Sequence, residues 1–279
     1  MRKYISLLRL EDQYLQLIAV FAASLYIARL DGMIFWWAAA TTLISFSAFI
    51  INERVDGKDT DLKSWNALHT HAKDFSPVAV NIMFIACSVG GIALSWRLGL
   101  LAWGSAIYAI GVLYSWPPIR LKAHFAFDIV GQMFACWVLP FGAIVWRYGL
   151  LNAEAWHFIF AFICMTWCIF YPYQLADLPA DQAAGLRNTH TVLGLRRSMF
   201  LGMCLGIVGL VVGAGWVSRQ PWTIAIFIMT IYSIGRYLSW LFLPETKIIP
   251  SMRGYVIFLK PYTQLLVPFL LIWVMASLG

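Results

Sequence analysis

Apolar runs of roughly 20 residues recur along the whole chain, and that recurrence decides what it can fold into. Helix rises about 1.5 Å per residue, so about 20 residues cross a hydrocarbon layer about 30 Å thick. Nine such runs fall at residues 14–30, 33–51, 77–95, 98–115, 129–146, 155–176, 199–217, 222–243 and 259–278. Backbone amides in lipid have no water to bond, which leaves helix as the structure for runs of this length. Of the 279 residues 61% are hydrophobic and 12% charged, and the mean hydropathy is +0.75, far beyond what one soluble core requires. The expected fold is all-α: a polytopic membrane bundle of nine transmembrane helices. Met1 to Arg9 leads into the first run without an A-x-A-like site, so no cleaved signal is expected.

Lysine and arginine orient the bundle. Fifteen of them, including Arg2, Lys58, Arg120, Lys122, Arg187 and Lys247, fall in one set of alternate connections, whereas the other set holds four, Arg29, Arg97, Arg147 and Arg219. Cytoplasmic segments retain positive charge. The N-terminus is therefore expected in the cytoplasm and the C-terminus outside, in the plasma (inner) membrane if the source is bacterial. The net charge of +7 is mostly this topology and indicates no nucleic-acid partner. Trp96, Trp103, Trp116, Trp146, Trp156, Trp216, Trp222 and Trp240 fall near run ends, as interfacial anchors do. Cys87, Cys136, Cys164, Cys168 and Cys204 lie inside runs and read as apolar packing residues rather than disulfides or zinc ligands. Arg236, inside the eighth run, is expected to snorkel or pair.

The inward connections 52–76, 116–128, 177–198 and 244–258 are long and hold nearly all the acids, so cap loops carrying the function are expected on the cytoplasmic face. Asn52 and Asp177, Asp56 and Asp181, and Lys122 and Lys247 are each separated by 125 residues. One offset relating three polar pairs implies two four-helix pseudo-repeats, about 1–128 and 129–258, plus a ninth helix in a single domain 1–279. Gly202, Gly206, Gly209 and Gly213 have the small-residue spacing of close helix packing.

Three segments carry the chemistry. At the inner end of the second run, Asn52 and Asp56 share a helix face if the helix continues one more turn, with Asp59 and Asp61 just beyond Gly57. At the inner end of the sixth, Tyr173-Gln174-Leu175-Ala176-Asp177-Leu178-Pro179-Ala180-Asp181 again spaces carboxylates by four. Pro179 disfavours helix at Leu178, so Asp177 should end one helix and Asp181 begin another. Clustered carboxylates at a membrane surface call for a compensating cation. Mg²⁺ fits, since it is held by one or two carboxylates, waters and phosphate oxygens. In the third segment, Tyr114-Ser115-Trp116-Pro117-Pro118-Ile119-Arg120-Leu121-Lys122, an extended run would point Arg120 and Lys122 to one side, either to neutralise phosphate oxygens or simply as part of the positive-inside bias.

Asn-x-x-x-Asp, Asp-x-x-x-Asp and Tyr-Ser-x-Pro-Pro-x-Arg-Leu-Lys, placed after the second, sixth and fourth runs, resemble the motifs of the UbiA superfamily of intramembrane prenyltransferases. The resemblance implies a Mg²⁺-dependent enzyme that ionises an isoprenyl diphosphate and transfers the prenyl group to an aromatic or other lipid-soluble acceptor. With the reading of the residues, metal binding is expected at Asn52, Asp56, Asp59, Asp177 and Asp181, and diphosphate binding at Asn52, Arg120, Lys122, Arg187 and Tyr173. Asp56, Asp181, Lys122 and Tyr114 become the catalytic set, and Tyr114 and Tyr173 are the aromatic rings nearest the motifs. The family pattern Asn-Asp-x-x-Asp-x-x-x-Asp falls on Asn52, Glu53, Asp56 and Thr60. Thr60 therefore lacks the third carboxylate, for which Asp59 or Asp61 would substitute, and the usual following Arg-Pro is replaced by a stretch with His69, His71 and Lys73.

Two rivals share these features. A UbiA-type terpene cyclase would use the same ionisation without an acceptor. A transporter would also show internal repeats and intramembrane polar groups. The Asp-Gly-x-x-Ala-Arg signature of CDP-alcohol phosphotransferases is missing after Asp56-Gly57.

Overall fold

The apolar runs form helices, and in the computed structural model they pack as a bundle; it describes residues 8, 14–56, 76–219 and 222–278. The helices are α1 (Tyr14–Tyr26), α2 (Gly32–Asp56), α3 (Pro77–Arg97), α4 (Leu101–Ser115), α5 (Phe127–Arg147) and α6 (Ala153–Ala176). Two short helices, α7 (Leu178–Ala183) and α8 (Thr189–Leu193), precede α9 (Leu195–Gly213), α10 (Thr223–Leu241) and α11 (Glu245–Leu278). Among the described residues there is no strand, only one bridge pairing His124 with Arg187. Each predicted run contains a helix, but among the described residues seven helices are long and apolar enough to cross a membrane. The other two, α1 and α4, have 13 and 15 residues, short of the usual crossing length. The protein is an integral membrane protein, all-helical in its regular structure among the described residues.

Helix α6 is the buried axis of one side: α9, α10 and α11 pack on it, while α3 and α4 pack on α2. Helices α1 and α5 join the two groups. The glycine stripe of α9 sets its contact with α6. A Cβ on Gly209 would lie 2.7 Å from the Met165 backbone nitrogen, and one on Gly206 would lie 2.5 Å from Cys168 Sγ. Van der Waals packing supplies helix association where lipid removes the hydrophobic drive, so this close approach is the contact itself. Pro172 lies inside α6 and cannot donate to the carbonyl of Cys168. Tyr237 of α10 supplies the missing bond, its hydroxyl donating to Cys168 O at 3.1 Å.

Two expectations are corrected here. The connection 244–258 is helical and forms the start of α11. Ile248, Met252, Tyr255, Val256 and Leu259 recur at helical spacing and are all buried, and Glu245 sits favourably in the first turn. Trp216, Trp222 and Trp240 are core residues with at most 6% exposure rather than interfacial anchors; Trp240 packs edge-on to Tyr237 and Tyr255 and donates to Ser251 Oγ at 2.9 Å. Trp96, Trp116, Trp146 and Trp156 are exposed. Arg236 pairs within the protein, lying over the Trp240 ring and donating to Ser251 at 3.3 Å. All five cysteines are free thiols.

Gly209→Leu should destabilise the bundle by about 1–3 kcal/mol or more, because the obstacle is backbone. Gly235→Leu, which meets nothing within 4 Å, should leave the melting temperature in detergent unchanged. Equal effects of the two would contradict the packing described.

Candidate functional site

The polar ends of α2, α4, α5 and α6 meet around the connection between α4 and α5. Helix α2 continues to Asp56, so Asn52 and Asp56 are one turn apart on one helix. Asn52 Oδ1 accepts two bonds, from Ser115 Oγ at 2.9 Å and from Lys122 Nζ at 2.6 Å. Ser115 closes α4, and beyond it Pro117 and Pro118, joined by a cis bond, turn the chain. The expected extended run does not form there. Arg120 takes a left-handed conformation (φ 41°) and Leu121–Ala123 makes a 3₁₀ turn, so the same-side argument for Arg120 and Lys122 fails. Lys122 is nevertheless brought to the first acidic segment. Asp59 and Asp61, like Thr60, His69, His71 and Lys73, lie outside the described residues.

The second segment breaks where Pro179 predicts. Helix α6 ends at Ala176, Asp177 stands between α6 and α7, and Asp181 lies in the first turn of α7, its N–H bonded to Asp177 O at 3.0 Å. Asp181 Oδ2 accepts from Asn188 Nδ2 and from His190 Nε2, each at 2.7 Å. His190 is buried, at 3% exposure, and its Nδ1 has no hydrogen-bond partner. Such an imidazole orients a carboxylate as the outer partners of metal ligands do. Arg253 of α11 donates to Ala176 O at 3.3 Å, which places a cation at the C-terminal end of α6 beside Asp177. Tyr173 directs its hydroxyl to Val256 O of α11 at 3.5 Å and its ring toward Phe170.

A buried carboxylate that the motifs do not announce ties the second segment to the α4–α5 connection. Asp128, 2% exposed in the first turn of α5, accepts from the backbone N–H of Thr189 at 3.0 Å and from the Thr189 hydroxyl. The same hydroxyl oxygen accepts from Ala126 N at 2.9 Å. Thr189 opens α8, so one carboxylate lies at two helix N-termini, where negative charge is favoured. Arg187 is exposed, and its backbone pairs with His124 in the β-bridge. The connection that carries Arg120 and Lys122 is thus fastened to Asn52 on one side and to the Asp181 segment on the other.

Beneath these groups lies a cavity of about 120 Å³ between α1, α2, α4 and α5. Asn52, Tyr114, Ser115 and Gln132 line its polar part, and Ile44, Ala48, Phe49, Ile107 and Ile110 its apolar wall. Gln132 also bonds Gln174 of α6, linking the cavity to the helix that ends at Asp177. Sequence reasoning missed Asp128, His190, Asn188 and Arg253; the only signal for the first three was that polar side chains flank the second motif and follow the basic one. Among the described residues no three His, Cys, Asp or Glu side chains gather as a complete metal cage. Oxygen donors from Asn52, Asp177 and Asp181, with cations beside them, suit a hard cation shared with a phosphate ligand better than a closed protein site.

The fold and site together define a polytopic helical membrane protein with an acidic and basic rim over an apolar cavity. A family model for the UbiA prenyltransferase family matches residues 16–253, and the chain belongs to that family. It is similar in structure to a UbiA homolog from Archaeoglobus fulgidus bound to GPP and Mg²⁺, at 18% identity and TM-score 0.68, over 95% of this chain and 99% of that one. The same homolog bound to DMAPP and Mg²⁺ also gives TM-score 0.68, and bound to Cd²⁺ gives 0.70. A digeranylgeranylglyceryl phosphate synthase is similar at 12% identity and TM-score 0.64, over 99% of this chain and 98% of that one. No curated protein matches the sequence significantly.

Asp128→Ala should leave the Thr189 N–H buried without an acceptor, at a cost of about 1–3 kcal/mol. Amide hydrogen exchange at Thr189 should accelerate far more than exchange in the middle of α6. Uniform acceleration, or none, would contradict the clasp.

Proposed function

We propose that this protein is a Mg²⁺-dependent intramembrane prenyltransferase that ionises an isoprenyl diphosphate and transfers the prenyl group to an aromatic or other lipid-soluble acceptor. The carrying observation is the fastening of Lys122 to Asn52 and of its connection, through Asp128 and Thr189, to the segment of Asp181. Two oxygen-donor segments and the cations between them then serve one polyanion. In this reading Asn52, Asp56, Asp177 and Asp181 hold the metal, with Asp59 as a further candidate ligand. Asn52, Lys122, Arg120 and Arg187 bind the diphosphate, and Tyr173 supports the site from α6. The site that Mg²⁺ would occupy fits on donor chemistry, since the bonds from Asn188 and His190 both fall on Oδ2 of Asp181.

When bound, Mg²⁺ stabilises charge developing on the departing diphosphate. The chain's own residues supply the rest. Lys122, held by the Asn52 carbonyl, presents N–H donors where the leaving group gathers charge. His190 and Asn188 hold the Asp181 carboxylate in one orientation. Ile44, Ala48, Phe49, Ile107 and Ile110 keep water from the allylic cation, and Tyr114 offers it an aromatic face.

The same reading makes the chain one domain of two pseudo-repeats, about 1–128 and 129–258, spanning the membrane nine times with the N-terminus cytoplasmic. In its support, Asn52 and Asp177 both stand at the ends of long helices, α2 and α6, that receive a glycine-bearing neighbour. Lys247, paired with Lys122 by the offset, is exposed on α11 and plays no matching part.

Purified protein given Mg²⁺, a C10 prenyl diphosphate and lipid extract should release diphosphate and form a prenylated product seen by mass spectrometry. Asp56→Asn and Asp181→Asn should each lower release by at least about 100-fold. A cyclic hydrocarbon or alcohol formed without any acceptor would instead identify a cyclase, and solute flux that survives both substitutions a transporter.

A further inference from the structure

Gln16 stands in the first turn of α1 with 5% of its surface exposed, and it lines the cavity. Its Nε2 approaches Cys136 Sγ at 3.6 Å, a weak acceptor. Its carbonyl Oε1 is shielded from solvent and has no hydrogen-bond partner. A primary amide offers two donors and two lone pairs, so this contact leaves most of its capacity unused. The other amides around the cavity differ: Asn52 binds Ser115 and Lys122, and Gln132 binds Gln174. A buried, unpaired carbonyl costs stability, and an aliphatic side chain would fill the same space without that cost. The orphan atom therefore points to a missing donor.

Position and size say which donor. Cys136 is one helical turn beyond Gln132 along α5, so the Gln16 amide lies deeper in the bundle than the polar rim that faces the diphosphate. The cavity is partly open, and its volume of about 120 Å³ is of the order of the roughly 150 Å³ that admits a benzene molecule, so a single ring can enter it. Phosphate oxygens bring only acceptors and a prenyl chain brings no polar atom. A hydroxyl on a ring brings the donor that Oε1 lacks.

We propose that Gln16 selects the acceptor, its Oε1 taking a hydrogen bond from a hydroxyl on the ring that enters the cavity. This rests on the transferase reading, since a cyclase has no acceptor to select. A site built to bond a hydroxyl discriminates strongly against analogues without it, because its own polar group is left unpaired.

The test uses a matched pair, 4-pentylphenol and 4-pentylanisole, titrated into the purified protein in nanodiscs without any diphosphate. The wild type should bind the phenol at least about tenfold more tightly than the methyl ether. Gln16→Leu and the near-isosteric Gln16→Met should lose that preference by binding the phenol more weakly, with an unliganded melting temperature no lower than wild type. Absence of a preference in the wild type, or a preference that survives both substitutions, overturns the assignment. So does a marked loss of unliganded stability in both variants, which would make Gln16 a structural partner of Cys136. A separate arm judges the enzyme reading: cyclic product from the C10 diphosphate alone removes the acceptor altogether, whatever the phenol arm reads.

Discussion

Hydrocarbon solvates neither a charge nor an unpaired backbone amide, and the architecture follows from that constraint. Apolar runs become helices, so nearly all ionisable groups collect at their ends. Where a helix is imperfect inside the bundle, a neighbour repairs it, as Tyr237 does for the carbonyl freed by Pro172. Close approach of α9 to α6 needs glycine because lipid offers no hydrophobic gain for a looser contact. Both devices keep α6 in place, and α6 carries Asp177 at its end.

The site is then a problem of fastening. Two acidic segments lie at the ends of helices from different parts of the chain, and the α4–α5 connection lies between them. Lys122 reaches one through Asn52; Asp128 reaches the other through Thr189. Together these links bring the cations to the carboxylates. On the proposed function, a site assembled this way needs no complete metal cage, since phosphate and water would fill the remaining ligand positions.

Much of this was legible in the sequence. Run length located the helices, and Pro179 announced the break that leaves Asp177 at the end of α6 and Asp181 in the next helix. Asp128 and His190 were not legible, because each works through a partner 61 or 9 residues away and no local spacing records such a contact; Gln16 was not, because only the packed bundle turns it into the cavity. The extended run expected at Arg120 failed for a related reason: the left-handed turn there depends on how the connection docks, which local preference does not encode. Residues 244–258 read as a loop because charges and prolines interrupt them. In a bundle, packing of Ile248, Met252 and Tyr255 outweighs those interruptions.

The proposed function requires one polyanion to join the two acidic segments through a divalent cation. Equilibrium dialysis of the purified protein against a radiolabelled C10 prenyl diphosphate tests it most directly. Saturable retention of about one diphosphate per chain is expected with Mg²⁺, lost on chelation with EDTA and lost separately in Asn52→Ala and Asp181→Asn. Retention that is indifferent to Mg²⁺, or that survives either substitution, would contradict it.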